Sequence, residues 1–480
     1  MSYSDVASSW MMSRSSKESP VSRSAFNTPS VYSLGYFAIM LLSTAYSLFY
    51  SFYYIDTLGL GIGMYALARG IYVVWDVSVQ PLAGYASDRT RTRMGRRRPW
   101  MFGAIPFYAL FFILLYSVPG GLTHWGLFFW FLAFQLLFET SMAIISINYL
   151  ALFPELYPDP RRRARVSVLQ QAFYIVALVV GTALTPILYG WLGFSGMAIV
   201  YAIAFILLML VSTLFLRENP AASVEEPMKL REAFRVTLSN GPFWVFNISY
   251  LLAASVLGLT SATIAFYAKY VLGLQGAQVS ILLVTTFVMV VPMAIGWYFV
   301  VRRLGPLRSF KLSIVVFAAS VIPLFFARDL ATGLVAGAVL AIGLAGHFVI
   351  PPLVQAQIID VDAAKTGRRR EGMYLSVGNV LVRTSALVGA LAFVIAGGLF
   401  GYVSGDQPGP EPAATFTFLM TTVPLGLLVI SFVIALFLRQ RDFTVPPGTN
   451  IALGDGSDES TRSESAREAE IALSAKKPIA

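Results

Sequence analysis

Gly84-Tyr85-Ala86-Ser87-Asp88-Arg89-Thr90-Arg91-Thr92-Arg93-Met94-Gly95-Arg96-Arg97-Arg98-Pro99-Trp100 is a dense cationic turn set between two long apolar runs. Thr366-Gly367-Arg368-Arg369-Arg370-Glu371-Gly372 is a second such turn, later in the chain. In a hydrophobic chain, Lys and Arg collect in loops on the inner side of the bilayer. The two stretches therefore predict a polytopic membrane protein and mark two of its cytoplasmic loops.

The composition agrees. The 480 residues are 57% hydrophobic and 12% charged, with a mean hydropathy of +0.69, whereas an ordinary soluble domain is about one quarter charged. Lipid must face much of the apolar surface. The formal charge of +10 sits in short clusters between apolar segments, which reads as topology and not as a nucleic-acid-binding face. There is no Cys, so thiol catalysis, disulfides and thiolate metal sites are excluded. His124 and His347 are the only histidines, which argues against a histidine-rich metal centre. The polar first thirty residues carry no apolar cleavable segment, so no secretory signal peptide is expected.

A spanning helix needs about 20 mostly apolar residues. Such runs predict spans at 31–55, 64–86, 99–118, 124–152, 166–191 and 194–216, then at 242–269, 275–301, 307–327, 331–358, 371–401 and 413–438. The fold class is thus all-α, twelve transmembrane helices in two six-helix bundles, 31–216 and 242–438. A cytoplasmic segment 1–30, a linker 217–241 and a polar tail 439–480 complete the chain, and disorder is the expectation for the tail. Loops after even-numbered spans hold Arg89 to Arg98, Arg161 to Arg165, Arg217 to Arg235, Arg302 to Lys311 and Lys365 to Arg370, while Pro119 to His124 has no Lys or Arg. Both termini are therefore expected in the cytoplasm. Two bundles joined by a linker is the layout of a carrier whose site lies near the midplane between the halves.

Ionisable side chains inside spans cost roughly 2.5–3.5 kcal/mol on insertion scales, so each usually faces a cavity or a partner. Asp76, Glu139, Lys269, His347 and Arg383 meet that description. Asp76 and Gln80 share a helix face at i, i+4. They suit a proton or cation and also sugar hydroxyls; alternatively, Asp76 pairs with Arg383 only to hold the bundles together. Arg383 either opposes Asp76, in which case displacing the contact couples binding to motion, or snorkels. Glu139 is a protonatable site or a structural hydrogen-bonder. Lys269 is expected to snorkel at an outer boundary, and His347 to pack. Tyr46 and Tyr50, in the first span, offer aromatic faces with hydroxyls for a sugar ring, whereas Tyr53 and Tyr54 read as an interfacial belt. No G-x-x-x-x-G-K-[ST] loop occurs, so nucleotide-driven pumping is not expected, and Gly59, Gly61 and Gly63 lack a dinucleotide-site context.

Gly84 to Trp100 resembles the second-to-third helix loop of the major facilitator superfamily, and in particular that of the glycoside–pentoside–hexuronide:cation symporters, which reads close to D-R-T-R-[ST]-R-x-G-R-R-R-P. Asp360-Val361-Asp362 followed by Thr366 to Gly372 is similar to that family's D-x-D…T-G-x-R-R-E-G, and Pro154-Glu155-Leu156 with Asp159 and Arg163 fits its fourth-to-fifth loop. The resemblance implies that Asp76 falls where melibiose carriers keep a cation-site aspartate, that Gln80 replaces a second aspartate, and that Arg383 stands at a family lysine. It also sets Ser146 in place of a sugar-binding aspartate and Gln171 in place of an arginine, with Asn148 beside Ser146 on the same helix. Gln80-Pro81-Leu82-Ala83-Gly84-Tyr85 looks like the sucrose-carrier branch, which is generally proton-coupled.

The implied protein is a monomeric symporter, not an enzyme and without a cofactor, that moves a sugar or glycoside with a proton in preference to sodium. Asp76, Glu139 and Arg383 would couple. Tyr46, Tyr50, Asp76, Gln80, Ser146, Asn148, Gln171 and Arg383 would bind substrate. Asp88, Arg89, Gly95, Arg96, Arg97, Arg98, Asp159, Arg163, Asp362, Arg369 and Glu371 would form the cytoplasmic gate. A lysolipid carrier of the same fold and a non-transporting sensor are the other readings.

Overall fold

The computed structural model describes residues 27–157, 159–218, 240–366, 371–405 and 407–443. Twelve helices run back and forth: α1 (Pro29–Thr57), α2 (Ile62–Arg89), α3 (Arg98–Tyr116), α4 (His124–Leu156), then a run Pro160–Phe215. Gly193, at φ 70 and ψ 172, breaks that run into α5 (160–192) and α6 (194–215). The second half holds α7 (Gly241–Tyr270), α8 (Ala277–Leu304), α9 (Pro306–Phe325), α10 (Leu330–Thr366), α11 (Glu371–Arg383 and Ser385–Phe400) and α12 (Pro412–Leu436). Twelve crossings return the chain to the face it started from, called here the terminal face; the opposite one is the far face.

The helix ends follow from local chemistry. Thr28, Thr123 and Asn240 cap α1, α4 and α7, each accepting from a backbone N–H three residues on. Pro29, Pro99, Pro242, Pro306 and Pro412 occupy first-turn positions, where a missing N–H costs nothing. The spans agree with the apolar runs to within a few residues, with one difference. α10 continues for 37 residues through Pro351 and Pro352, so it is about 55 Å long and carries Asp360 and Asp362 on a helix that passes well beyond the apolar run.

Large side chains such as Trp191, Phe326, Val168 and Val74 are exposed on the outside of the bundles, as a lipid-facing surface requires. Between the bundles, α1 faces α7, α2 faces α11, and the α5–α6 run faces α8.

On the terminal face, the cationic loop is stapled to its own bundle. The Glu218 carboxylate accepts three backbone N–H groups, from Arg96 (2.7 Å), Arg97 (2.8 Å) and Arg98 (2.7 Å), at the start of α3. A carboxylate on the positive end of a helix, taking its orphan donors, is favourable on both counts. Glu218 belongs to the segment expected to be linker, and its first residues are instead part of the N-terminal bundle. Arg96 and Arg97 both reach Glu155, at 3.0 and 3.1 Å. Arg98 donates to the Thr213 carbonyl at 3.1 Å and to that of Leu214 at 3.4 Å, closing the end of α6. Gly95 makes the turn at φ +102, and a Cβ there would lie 2.4 Å from the Glu218 carboxyl carbon.

Gly95→Ala and Glu218→Ala should each cost about 1–3 kcal/mol, read as a lower Tm in detergent. Because they share one contact, the double variant should lose less than the sum; full additivity would show that Glu218 does not rest on this turn.

Candidate functional site

The buried centre of the molecule is an ion pair that bridges the two halves. Asp76, on α2, is only 3% exposed, and the Arg383 guanidinium of α11 donates through Nη1 to its Oδ2. Gln80, one turn on, donates from Nε2 to Oδ1 at 3.2 Å. Arg383 is the last residue before α11 breaks at Thr384. Its side chain is 36% exposed, whereas Asp76 is buried. Pro81 follows Gln80 within α2 and removes one intrahelical N–H at this level. In a low-dielectric interior an acid like Asp76 is tolerable when paired or protonated, and not otherwise.

A second cluster lies two turns along α2. The Arg69 guanidinium sits 4.4 Å above the Tyr72 ring and 5.2 Å above that of Tyr50. Tyr46 stacks on Tyr50 with centroids 4.5 Å apart, and the Tyr65 hydroxyl donates to that of Tyr50 at 3.0 Å. Phe131 of α4 stacks on Tyr50 and Tyr65. Glu139, half-buried on α4, lies within electrostatic reach of Arg69, Asp76 and Arg383. Tyr46 and Tyr50 thus belong to a cluster of aromatic rings and a cation. Arg69 was missed because it falls early in its span, where an Arg reads as a boundary residue. It is nonetheless a charge inside an apolar run, seven residues from Asp76, and the intramembrane-charge criterion applies to it equally.

Other candidates are placed differently. Ser146 has a buried hydroxyl without a hydrogen-bond partner, and Asn148 turns its amide back onto the Ile144 carbonyl of its own helix at 2.8 Å. Gln171 is exposed on α5. His347 is buried against Tyr250, ring centroids 5.3 Å apart, as packing requires. Of the gate residues, Asp88 reaches Arg97 at 3.5 Å, Arg89 covers the Tyr85 ring, and Asp159 caps α5 through the Arg162 N–H. Arg163 donates to the Tyr157 carbonyl at 2.9 Å, and Asp362 is buried on α10. Glu371 opens α11, and Arg369 lies outside the described residues.

Two expectations are corrected at the far face. Tyr53 and Tyr54 are not an interfacial belt: both are buried, and their hydroxyls donate to the Tyr116 and Leu115 carbonyls at 3.1 and 2.7 Å, locking α1 to α3. Lys269 does not merely snorkel. Its Nζ is 2.6 Å from Oδ2 of Asp56, a 3%-exposed acid at the end of α1. Tyr270 also donates to Asp56, and the Gly405 N–H bonds to the Ile55 carbonyl at 3.1 Å. The two halves are therefore latched at this face. Asp56 was overlooked because it lies just past the end of the apolar run; the final turn of α1 is a π-turn (Tyr53–Thr57) that carries it inward.

A family model described as MFS/sugar transport protein matches residues 31–443, and the chain belongs to that family. The glucuronide carrier protein homolog of Escherichia coli is 25% identical over 86% of this chain and 92% of its own length. The sodium-dependent lysophosphatidylcholine symporter 1-B of Danio rerio is 21% identical over 75% of this chain and 76% of its own. Among solved structures, a mutant of the nucleoside transporter NupG superposes with a TM-score of 0.64 at 13% identity, covering 87% of this chain and all of that one. The protein is an integral membrane transporter with the major facilitator fold.

The far-face latch can be tested cleanly because the chain has no native cysteine. Ser51, buried, donates to the Ala262 carbonyl across the halves at 2.9 Å. With Lys269 partly exposed, losing the pair should cost about 1–2 kcal/mol. Asp56→Ala should then speed maleimide labelling of a Ser51→Cys reporter roughly 5–30-fold. An unchanged rate would mean that other contacts hold this face shut.

Proposed function

We propose that the protein is a proton-coupled symporter of a sugar or glycoside that works by alternating access. The reading rests above all on the buried Asp76–Arg383 pair, which joins the two bundles and carries Gln80 on its free side. A proton arriving on Asp76 removes the charge that holds Arg383. The guanidinium, already partly exposed, is released toward substrate, and the contact between α2 and α11 weakens. Tyr46, Tyr50 and Gln80 supply hydrogen-bonding groups for a sugar, and the halves rock once sugar and proton are both in place. Gln80, where a second carboxylate would assist sodium, supports the proton. Positive charge on the loops of the terminal face supports a plasma-membrane protein with both ends in the cytoplasm. The conformation described here, latched at Asp56–Lys269, is then closed to the outside.

The test is extracellular pH in weakly buffered, energy-depleted cells given sucrose, maltose and a panel of glycosides. Alkalinisation that disappears in Asp76→Asn is the expected result. Concentrative uptake that survives Asp76→Asn would sink the coupling mechanism. Silence toward every sugar, together with uptake of a lysolipid, would transfer the reading to an amphiphile carrier, and binding without counterflow would transfer it to a sensor.

A further inference from the structure

The Asp76–Arg383 pair leaves a second guanidinium without a comparable partner. Among the described residues no carboxylate lies within 4.0 Å of Arg69, and its Nη1 is buried with no hydrogen-bond acceptor. The guanidinium carbon lies over the Tyr50 and Tyr72 rings at 5.2 and 4.4 Å, which compensates part of the charge. Other orphaned polar atoms are close in the fold. The Tyr46 hydroxyl, on the ring stacked against Tyr50, is buried and has Glu139 beside it but no hydrogen bond within 3.5 Å. Gln135 is completely buried with both amide atoms unpaired, one helical turn from Phe131 and one turn from Glu139 on α4. Buried polar groups left unsatisfied cost about 1–3 kcal/mol each. A cluster of them is satisfied by ordered water or by a bound guest.

Resting on the transport reading above, we infer that Arg69 is the determinant of substrate charge, receiving an anionic oxygen group (carboxylate or phosphate) of the transported molecule while Tyr46 and Gln135 bond its hydroxyls. A guanidinium presents paired N–H groups in the geometry that such oxygens accept. Charge counting points the same way. Asp76 and Glu139 balance Arg69 and Arg383, so with Asp76 taken by Arg383, the counter-charge left for Arg69 is the more distant Glu139. A guest anion takes that position directly, and a proton on either acid restores the balance.

The experiment is equilibrium binding to the purified full-length protein, followed by intrinsic tryptophan fluorescence. The probes are methyl glucuronide, its neutral isostere methyl glucoside, glucose 6-phosphate and a lysophosphatidate. Methyl glucuronide or one of the phosphates should half-saturate at a concentration at least tenfold below that of methyl glucoside, and which anion does so distinguishes carboxylate from phosphate and sugar from lipid. Arg69→Gln should abolish the preference, and Arg69→Lys should keep its sign with weaker binding. Equal binding of neutral and anionic probes, no binding of any anionic probe, or a preference that survives in Arg69→Gln would each overturn the inference. Should Arg69→Gln not fold, the wild-type comparison still decides. The same titrations in Asp76→Asn separate this inference from the coupling reading. A charge preference retained there, alongside undiminished concentrative uptake, would sink the coupling reading alone.

Discussion

A carboxylate cannot stay charged and alone in a low-dielectric interior, and much of this molecule is arranged around that constraint. Asp76 is 3% exposed, and its charge is supportable because Arg383 reaches it from the other bundle. Replacing either partner strands the other, at a cost of about 3–5 kcal/mol for a fully buried pair and less here, where Arg383 is partly open. On the proposed reading the contact is conditional, because a proton on Asp76 would remove the charge that attracts Arg383. A purely structural tie between α2 and α11 could have used apolar side chains at lower risk. An ion pair brings a dependence on charge that a leucine contact lacks.

For that dependence to become motion, each bundle must move as a body. The terminal face supplies the stiffness. Glu218 gathers three N–H groups at the start of α3, Arg98 closes the carbonyls ending α6, and Glu155 holds Arg96 and Arg97. These bonds run within the N-terminal half and leave the relation between halves untouched. By contrast, Asp56–Lys269 and Ser51–Ala262 run between halves at and near the far face. The polar contacts so divide into those that make a bundle rigid and those that define one conformation of the pair.

How much of this the amino-acid sequence displays depends on the kind of signal. The helices are plainly legible, because spanning lipid requires about 20 apolar residues each and the loops are marked by charge. The family is legible in the Gly84–Trp100 and Thr366–Gly372 stretches. The Asp76–Arg383 juxtaposition is legible as an acid and a base that both need a partner inside an apolar medium. What escaped has a common cause. Arg69, Asp56 and Lys269 lie near the ends of apolar runs, where hydropathy alone cannot tell a boundary residue from an inward one. Their direction depends on three-dimensional details: a π-turn at Tyr53–Thr57 turns Asp56 inward, and the rings of Tyr50 and Tyr72 draw Arg69 into the space between helices. Tyr53 and Tyr54 escaped for the same reason, since their hydroxyls find carbonyls on α3 that no local pattern announces.

Glu139 makes no ion pair within 4.0 Å among the described residues, and instead has Tyr46 beside it and Arg69, Asp76 and Arg383 at longer range. Two acids and two guanidiniums share a region of low polarity, where both an unpaired charge and a net charge are costly. When Asp76 is ionised and bonded to Arg383, Glu139 and Arg69 balance each other at longer range through the tyrosines between them. Neutralising one acid leaves the region one positive charge in excess, which favours either expulsion of the proton or arrival of an anion. A neutral guest offers no such compensation and must gain its affinity from stacking and hydroxyl bonds alone. The same four residues could thus couple a proton to an acidic guest by simple charge balance, but to a neutral one only by the geometric release of Arg383. On the proposed reading, the charge of the guest is therefore the quantity on which the mechanism turns.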